Sequence, residues 1–263
     1  MSETRPLAVV TGASSGIGLE LAKLLADDGY DLIVAADDAA IYPAADKLGT
    51  ECASVQAVQV DLRKPSDVER LYRSSAGRVP DVVVLNAGSV RAGSFVEGDL
   101  DADLSIIDLN VRSTVHLAKL VLRDMTARGS GKVLFTSSIV AAMPGSLQSI
   151  YNASKSFIQS LAEALQDELR DTDVTVTALM PGPTDTKLFA RNHMENTVLA
   201  RWVPKDDPAD VARQGYAALM SGRRRVVASS LSSKAFGLVN TVLPDMVKAK
   251  INRLIASPVR GHH

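Results

Sequence analysis

Apolar residues along this chain follow two rhythms. Short unbroken runs at Leu7–Val10, Asp31–Ala36, Val55–Val60, Asp81–Leu85, Lys132–Thr136, Val174–Leu179 and Arg225–Ala228 carry no helical period and read as strands, several of them buried on both faces. Between them, apolar positions recur three and four apart, as in Leu21, Leu24 and Leu25, which predicts amphipathic helices. These helices are expected from Gly18 to Gly29, Ala39 to Leu48, Pro65 to Ala76, Asp101 to Arg128, Ser149 to Leu169 and Asp207 to Ser221. Strand and helix alternate with short connections throughout, the pattern of an α/β fold with a doubly wound parallel sheet, about seven strands and helices on both faces. A chain of 263 residues can form this as a single domain, 1–263.

The polar residues that interrupt this pattern cluster where strands end. The first strand runs into Thr11-Gly-Ala-Ser-Ser-Gly-Ile-Gly18, and a helix follows directly. A glycine-rich turn between strand and helix leaves bare N–H groups and a helix N-terminus where a pyrophosphate can sit. Asp37 follows the second strand, 19 residues beyond Gly18, where a carboxylate can bond the hydroxyls of an adenosine ribose. After the fifth strand comes Ser138, and then Tyr151 and Lys155, one helical turn apart on the same face. An ammonium beside a phenol stabilises the phenolate, so the pair is expected to lower the Tyr151 pKa. Tyr151 would then transfer a proton, Lys155 would tune it, and Ser138 would add a hydrogen bond to the same reacting oxygen.

Composition narrows the rest. With 46% hydrophobic and 22% charged residues the chain is an ordinary globular one, and a net charge of −1 gives no electrostatic footprint for nucleic acid. Cys52 is the only cysteine, which excludes an intrachain disulfide and fits a reducing compartment. The four histidines lack zinc-ligand spacing, no signal peptide is expected, and no apolar stretch reaches the ~18 residues of a membrane span. A cytoplasmic protein with no bound metal and no membrane partner is the expectation.

Taken in order, TGASSGIG at 11–18, DL at 61–62, NAG at 86–88, Asn110, Ser138, YNASK at 151–155 and PGPTDT at 181–186 resemble the motifs of the short-chain dehydrogenase/reductase family, in its small single-domain branch. The resemblance implies a Rossmann-like fold and hydride transfer between NAD or NADP and a small molecule, interconverting a secondary alcohol and a ketone. It implies Tyr151 as general acid/base, with Ser138, Lys155 and Asn110 as its catalytic companions, Asn110 anchoring a water that relays protons to Lys155. Cofactor contacts are implied at Gly12, Ser14, Ser15, Gly16, Ile17, Gly18, Asp37, Asp61, Leu62, Asn86, Ala87, Gly88, Tyr151, Lys155, Pro181, Gly182, Thr184 and Thr186. Two other readings stay open: a cofactor-binding sensor without turnover, and an epimerase or dehydratase on a related fold.

Relatives that prefer NADP often carry a basic residue before the second glycine of the loop or after the second strand. Ser15 and Asp37 occupy those places, which favours NAD, with NADP as second choice. NAD-preferring relatives usually place the acid one residue earlier, where this chain has Ala36; Asp38 reads as a helix-starting residue. The resemblance also implies a substrate lid around 187–205 and a homotetramer or homodimer. In the dimer or tetramer, the helices over 101–128 and 150–170 would bury their surplus apolar faces. A helical extension is expected around 235–256. Candidate pocket walls are Val140, Met143, Gln148, Leu188, Phe189, Met194 and Trp202, mostly apolar, so the expected partner is an apolar ketone or alcohol. Arg191, His193 and Arg201 leave an anionic acyl carrier open.

Overall fold

In the computed structural model, residues 5–49, 54–186, 188, 196–228 and 244–257 are described. Seven strands form one sheet in the order β3-β2-β1-β4-β5-β6-β7. They are β1 (Leu7–Thr11), β2 (Asp31–Ala36), β3 (Val55–Gln59), β4 (Val82–Leu85), β5 (Gly131–Thr136), β6 (Val174–Pro181) and β7 (Arg225–Ala228). Every neighbouring pair is parallel. This is the expected doubly wound sheet.

The alternation of side chains along each strand divides the core in two. Leu7 and Val9 of β1 face one layer, which holds Leu117, Val121 and Met125 of α5 (Ser113–Arg128) and Ile158 of α6 (Ser149–Glu168). Ala8 and Val10 face the other, against Leu21 and Leu25 of α1 (Gly16–Asp27) and Ile41 of α2 (Ile41–Leu48). That second layer also receives Val211 and Leu219 of α8 (Pro208–Met220). Helix α3 (Pro65–Arg73) starts at a proline, as its sequence signals predict. Strand order reverses at β1, which pairs with both β2 and β4, so their following loops part and leave a crevice at the carboxyl ends.

The long helix expected over 101–128 is interrupted. It runs as α4 (Leu100–Ile107), a π-helical turn at Asp108–Arg112, and α5. Single π turns recur at functional sites, and this one carries Asn110. A short helix α7 (Val198–Trp202) lies in the expected lid region. The tail forms α9 (Asp245–Ala256), with Pro244 at its N-cap. Cys52, residues 189–195 of the lid and residues 235–243 of the tail lie outside the described residues.

Candidate active site

The crevice opens into a cavity of about 760 Å³, and most of the residues singled out by the sequence meet there. Gly12, Ser15, Gly16 and Ile17 form one wall, Asp37 and Leu62 the far end, and Asn86, Ala87 and Gly88 the floor. Ser138, Tyr151, Lys155, Pro181, Gly182, Thr184 and Thr186 line the remainder.

The glycine loop has the form a pyrophosphate requires. Gly12 and Gly16 have φ of +67° and +60°, in the left-handed region that favours glycine. A Cβ on Gly16 would lie 2.8 Å from Cγ2 of Thr186, so any side chain there would fill the space between the loop and the segment after β6. Helix α1 opens with no acidic residue in its first turn, so its N–H groups and positive end are left for an anion. These features fit a dinucleotide cofactor, which the glycine loop and Asp37 would hold at its pyrophosphate and ribose.

Ser14, Gly18, Asp61 and Asn110 do not line the cavity; each supports a residue that does. Gly18 is where α1 meets the loop, and a Cβ on it would sit 2.3 Å from the Gly12 carbonyl oxygen. Ser14 Oγ donates to Asp38 Oδ2 at 3.2 Å, and Asp38 Oδ1 accepts from the Ala40 N–H at 3.0 Å; Asp38 thus forms a turn ahead of α2 rather than capping it, and it lines the cavity. Asp61 Oδ1 accepts from Arg63 Nη1 at 2.8 Å. Arg63 lines the cavity, reaches Asp37 Oδ2 at 3.4 Å and donates through Nε to Ser105 Oγ. A cation therefore stands beside Asp37, supplied from beyond β3, where a search limited to the glycine loop and the end of β2 does not look.

Asn110 is 2% exposed and its side chain is committed to the protein. Oδ1 accepts from the Ser89 N–H at 2.8 Å, while Nδ2 donates to the Ser89 carbonyl and to Ser154 Oγ, both at 2.9 Å. Ser154 Oγ in turn donates to the Tyr151 carbonyl at 2.7 Å. The carboxamide thus ties the loop after β4 to the helix bearing Tyr151 and Lys155. Asn86 does the same for the strands: Nδ2 donates to the Thr11 carbonyl and Oδ1 accepts from Thr136 Oγ1. The roles of Thr11, Ser89, Thr136 and Ser154 as anchors carry no signal in the sequence pattern.

At the chemical end, the Tyr151 hydroxyl hydrogen-bonds with Ser138. Ser138 Oγ also donates to the Pro181 carbonyl at 3.4 Å and accepts from the Val140 N–H at 3.3 Å. Lys155 Nζ lies 5.9 Å from the Tyr151 ring centroid and donates to the Thr136 carbonyl at 2.9 Å. The expectation of a lowered tyrosine pKa is corrected here. Burial pushes the Tyr151 phenol up to about 12, against a smaller opposing effect from the Ser138 hydrogen bond. Burial also pushes Lys155 down to about 8. Removal from water dominates both shifts, because a buried ion loses hydration that its few polar neighbours do not replace.

Of the proposed pocket walls, Val140, Gln148 and Leu188 line the cavity, joined by Val90, Val203 and Ile255. Trp202 does not: it points outward at 73% exposure. Met143 is buried away from the cavity, and Arg201 bonds Asn196 Oδ1. Phe189, Arg191, His193 and Met194 lie outside the described residues. Among the described residues no cluster of metal ligands occurs, and no helix is long and apolar enough to cross a membrane.

A parallel doubly wound sheet with a phosphate-binding turn and a Ser–Tyr–Lys group at its carboxyl edge defines a class of dinucleotide-dependent oxidoreductases. The family model described as short chain dehydrogenase matches residues 6–196, so the chain belongs to the short-chain dehydrogenase/reductase family and is an oxidoreductase. An uncharacterized oxidoreductase of Staphylococcus saprophyticus is 32% identical over 218 residues, spanning 81% of this chain and 90% of that protein. Among solved structures, a short-chain dehydrogenase from Sphingobium yanoikuyae in complex with NADPH superposes with a TM-score of 0.79 at 26% identity, covering 89% of this chain and 92% of that one. A family member from Burkholderia phymatum in complex with NAD shares the fold, with a TM-score of 0.79 at 21% identity and 99% coverage of both chains.

Proposed function

We propose that the protein interconverts a secondary alcohol and a ketone with a nicotinamide dinucleotide as partner. The observation that carries this reading is that the Tyr151–Ser138 pair and Lys155 share one cavity with the glycine loop. The bound cofactor supplies or accepts the hydride. In the reducing direction the neutral Tyr151 phenol gives its proton to the substrate oxygen, Ser138 holds that oxygen, and the Lys155 ammonium stabilises the phenolate left behind. With its phenol pushed up to about 12, Tyr151 carries its proton at neutral pH, the form that the reducing direction requires. In this scheme the Asn110 side chain holds the Tyr151–Lys155 helix against the loop after β4, and Asn110 anchors a water that relays protons to Lys155.

The cofactor reading remains NAD before NADP. Asp37 accepts a bond from a free 2′-hydroxyl and repels a 2′-phosphate. Arg63 is nearer Asp61 than Asp37, so it tempers this repulsion without removing the carboxylate. The Sphingobium yanoikuyae structure at 26% identity and an actinorhodin polyketide ketoreductase at 26% are NADPH complexes, while the Burkholderia phymatum structure at 21% is an NAD complex. We include in the proposal a cytoplasmic location and a homotetramer or homodimer. Leu100, Leu104, Ile107 and Phe157 are exposed on α4 and α6, which supports burial of these helices in an assembly. Steady-state reduction of a ketone panel with NADH and NADPH tests the reaction. Turnover of ketones with kcat/KM higher for NADH is expected; absence of hydride transfer to every ketone, with cofactor bound, would favour a sensor.

A further inference from the structure

Gln148 stands apart from the other buried polar residues near Tyr151. It is 4% exposed, lines the main cavity, and its carboxamide forms no hydrogen bond among the described residues. Its neighbours spend their donors on the protein: Asn152 Nδ2 on the Met143 carbonyl, Asn252 Nδ2 on the Ser146 carbonyl, and Lys248 Nζ on the Ala142 carbonyl. A carboxamide has two donor hydrogens and an acceptor oxygen, and buried groups of this kind are nearly always paired. Neither polar atom of Gln148 is among those sealed from solvent without a partner. What satisfies them must therefore come from the space that Gln148 borders. That space is the cavity and a recess of about 20 Å³, room for roughly one water.

The turn that presents Gln148 is heavily constrained. Its N–H donates to the Gly145 carbonyl at 2.8 Å, and Leu147 between them has φ of +67°, a left-handed conformation that is strained for leucine. Three contacts hold it there. The Gly93 N–H donates to the Leu147 carbonyl at 2.8 Å, Asn252 of α9 grips the Ser146 carbonyl at 2.8 Å, and Gly145 sits so close to Asn152 that a Cβ would come within 2.4 Å of it. Backbone strain at one residue, and buried polar groups from a distant helix, fix a carboxamide three residues before Tyr151.

We infer that Gln148 is a specificity-determining residue that binds a second oxygen of the substrate. This rests on the alcohol–ketone reading above and narrows it. The walls of that end are mainly apolar (Val90, Val140, Leu188, Val203, Ile255), so a simple ketone would occupy Tyr151 and Ser138 and offer the carboxamide no partner. Gln148 is the N-cap residue of α6, one turn before Tyr151 and lining the same cavity, so the second oxygen lies near the reacting carbonyl. The carboxamide is neutral, and Lys155 is the only cation lining this end among the described residues, already bonded to Thr136. The substrate class is a neutral oxo ester, oxo amide or hydroxy ketone on an apolar skeleton.

The test compares ethyl acetoacetate with 2-heptanone, which match in chain length and differ in the second carbonyl and ester oxygens. Wild-type protein should favour the ester in kcat/KM by at least about tenfold, because the ketone leaves a buried polar group unpaired. Gln148→Leu should bring that ratio close to one, with cofactor affinity by fluorescence titration unchanged; Gln148→Ala reads the same ratio if the leucine variant fails to fold. A wild-type preference that survives both substitutions, or no wild-type preference, overturns the inference. If wild-type protein turns over neither compound, the alcohol–ketone reading fails. Saturation-transfer NMR of ethyl 3-hydroxybutanoate against 2-heptanol on the cofactor complex then decides on Gln148. Preferential binding of the hydroxy ester that is lost in Gln148→Leu supports it, and unchanged relative binding overturns it.

Discussion

The two ends of the cleft are built by different means. At the dinucleotide end, backbone does the positioning: a left-handed glycine turn, the N-terminus of α1 and the carboxyl ends of β1, β4 and β6 are all within a local strand–turn–helix grammar. At the substrate end, side chains from distant segments are brought together. Ile139 and Val140 follow β5, Val203 follows α7, and Ile255 comes from the tail helix. The first construction tolerates little change because atoms of the backbone touch. The second can change its walls without disturbing the sheet, so one scaffold can serve many substrates.

Substitution of Lys155 should break this division most severely, because Lys155 stands where the two ends meet. Lys155→Ala is expected to lower kcat/KM by about a thousandfold or more, since it removes the charge that stabilises the Tyr151 phenolate and a cofactor contact together. Titration of NADH fluorescence should show weakened binding in the same variant. A variant that binds cofactor as wild type does would confine Lys155 to the chemical end.

Gly18→Ala tests the backbone end alone. The added methyl would lie 2.3 Å from the Gly12 carbonyl, so the loop must move, and cofactor affinity should fall by at least about tenfold. Isothermal calorimetry measures this directly; wild-type affinity would mean the loop adapts and the crowding is unimportant.

A smaller effect, near tenfold, is expected from Asp37→Ala on the ratio of kcat/KM for NADPH to that for NADH. Removing the carboxylate ends its repulsion of a 2′-phosphate and leaves the Arg63 cation, still held by Asp61 and Ser105, beside that position, so the ratio should rise. An unchanged ratio would show that Asp37 does not face the ribose.

The pH profile sharpens the chemical end. Burial pushes Lys155 down to about 8, so it is an ammonium below that pH and an amine above it, while Tyr151 stays protonated to about 12. Reductive kcat/KM should therefore be level from about pH 6 to 8 and decline above 8, as the cation that stabilises the phenolate is lost. A rate that climbs through pH 8 to 10 would reverse the assignment.

The same contrast explains what could be read from the chain. β2 matches its expected bounds because its unbroken apolar run is buried on both strand faces, while β7, at the sheet edge, keeps its bounds with only Ala228 buried. Gly12, Gly16, Tyr151 and Lys155 were legible because their roles depend on spacing within one turn and one helix. The π turn at Asn110 was not: the apolar spacing on either side is helical, and the interruption arises from the side-chain bonds to Ser89 and Ser154, far away in sequence. Arg63 carries no sequence signal for a similar reason, since only the parallel pairing of β2 with β3 brings it to Asp37. The raised Tyr151 pKa was misread because spacing shows a neighbouring cation but not the depth of burial.

The central claim is that cofactor binding and proton transfer reside at separable ends of one cavity, and Tyr151→Phe tests it most directly. The ring remains and only the hydroxyl goes. Single-turnover reduction with bound cofactor should fall by at least about a hundredfold, while the cofactor dissociation constant stays within about twofold of wild type. Retention of a tenth of the wild-type rate would contradict the account.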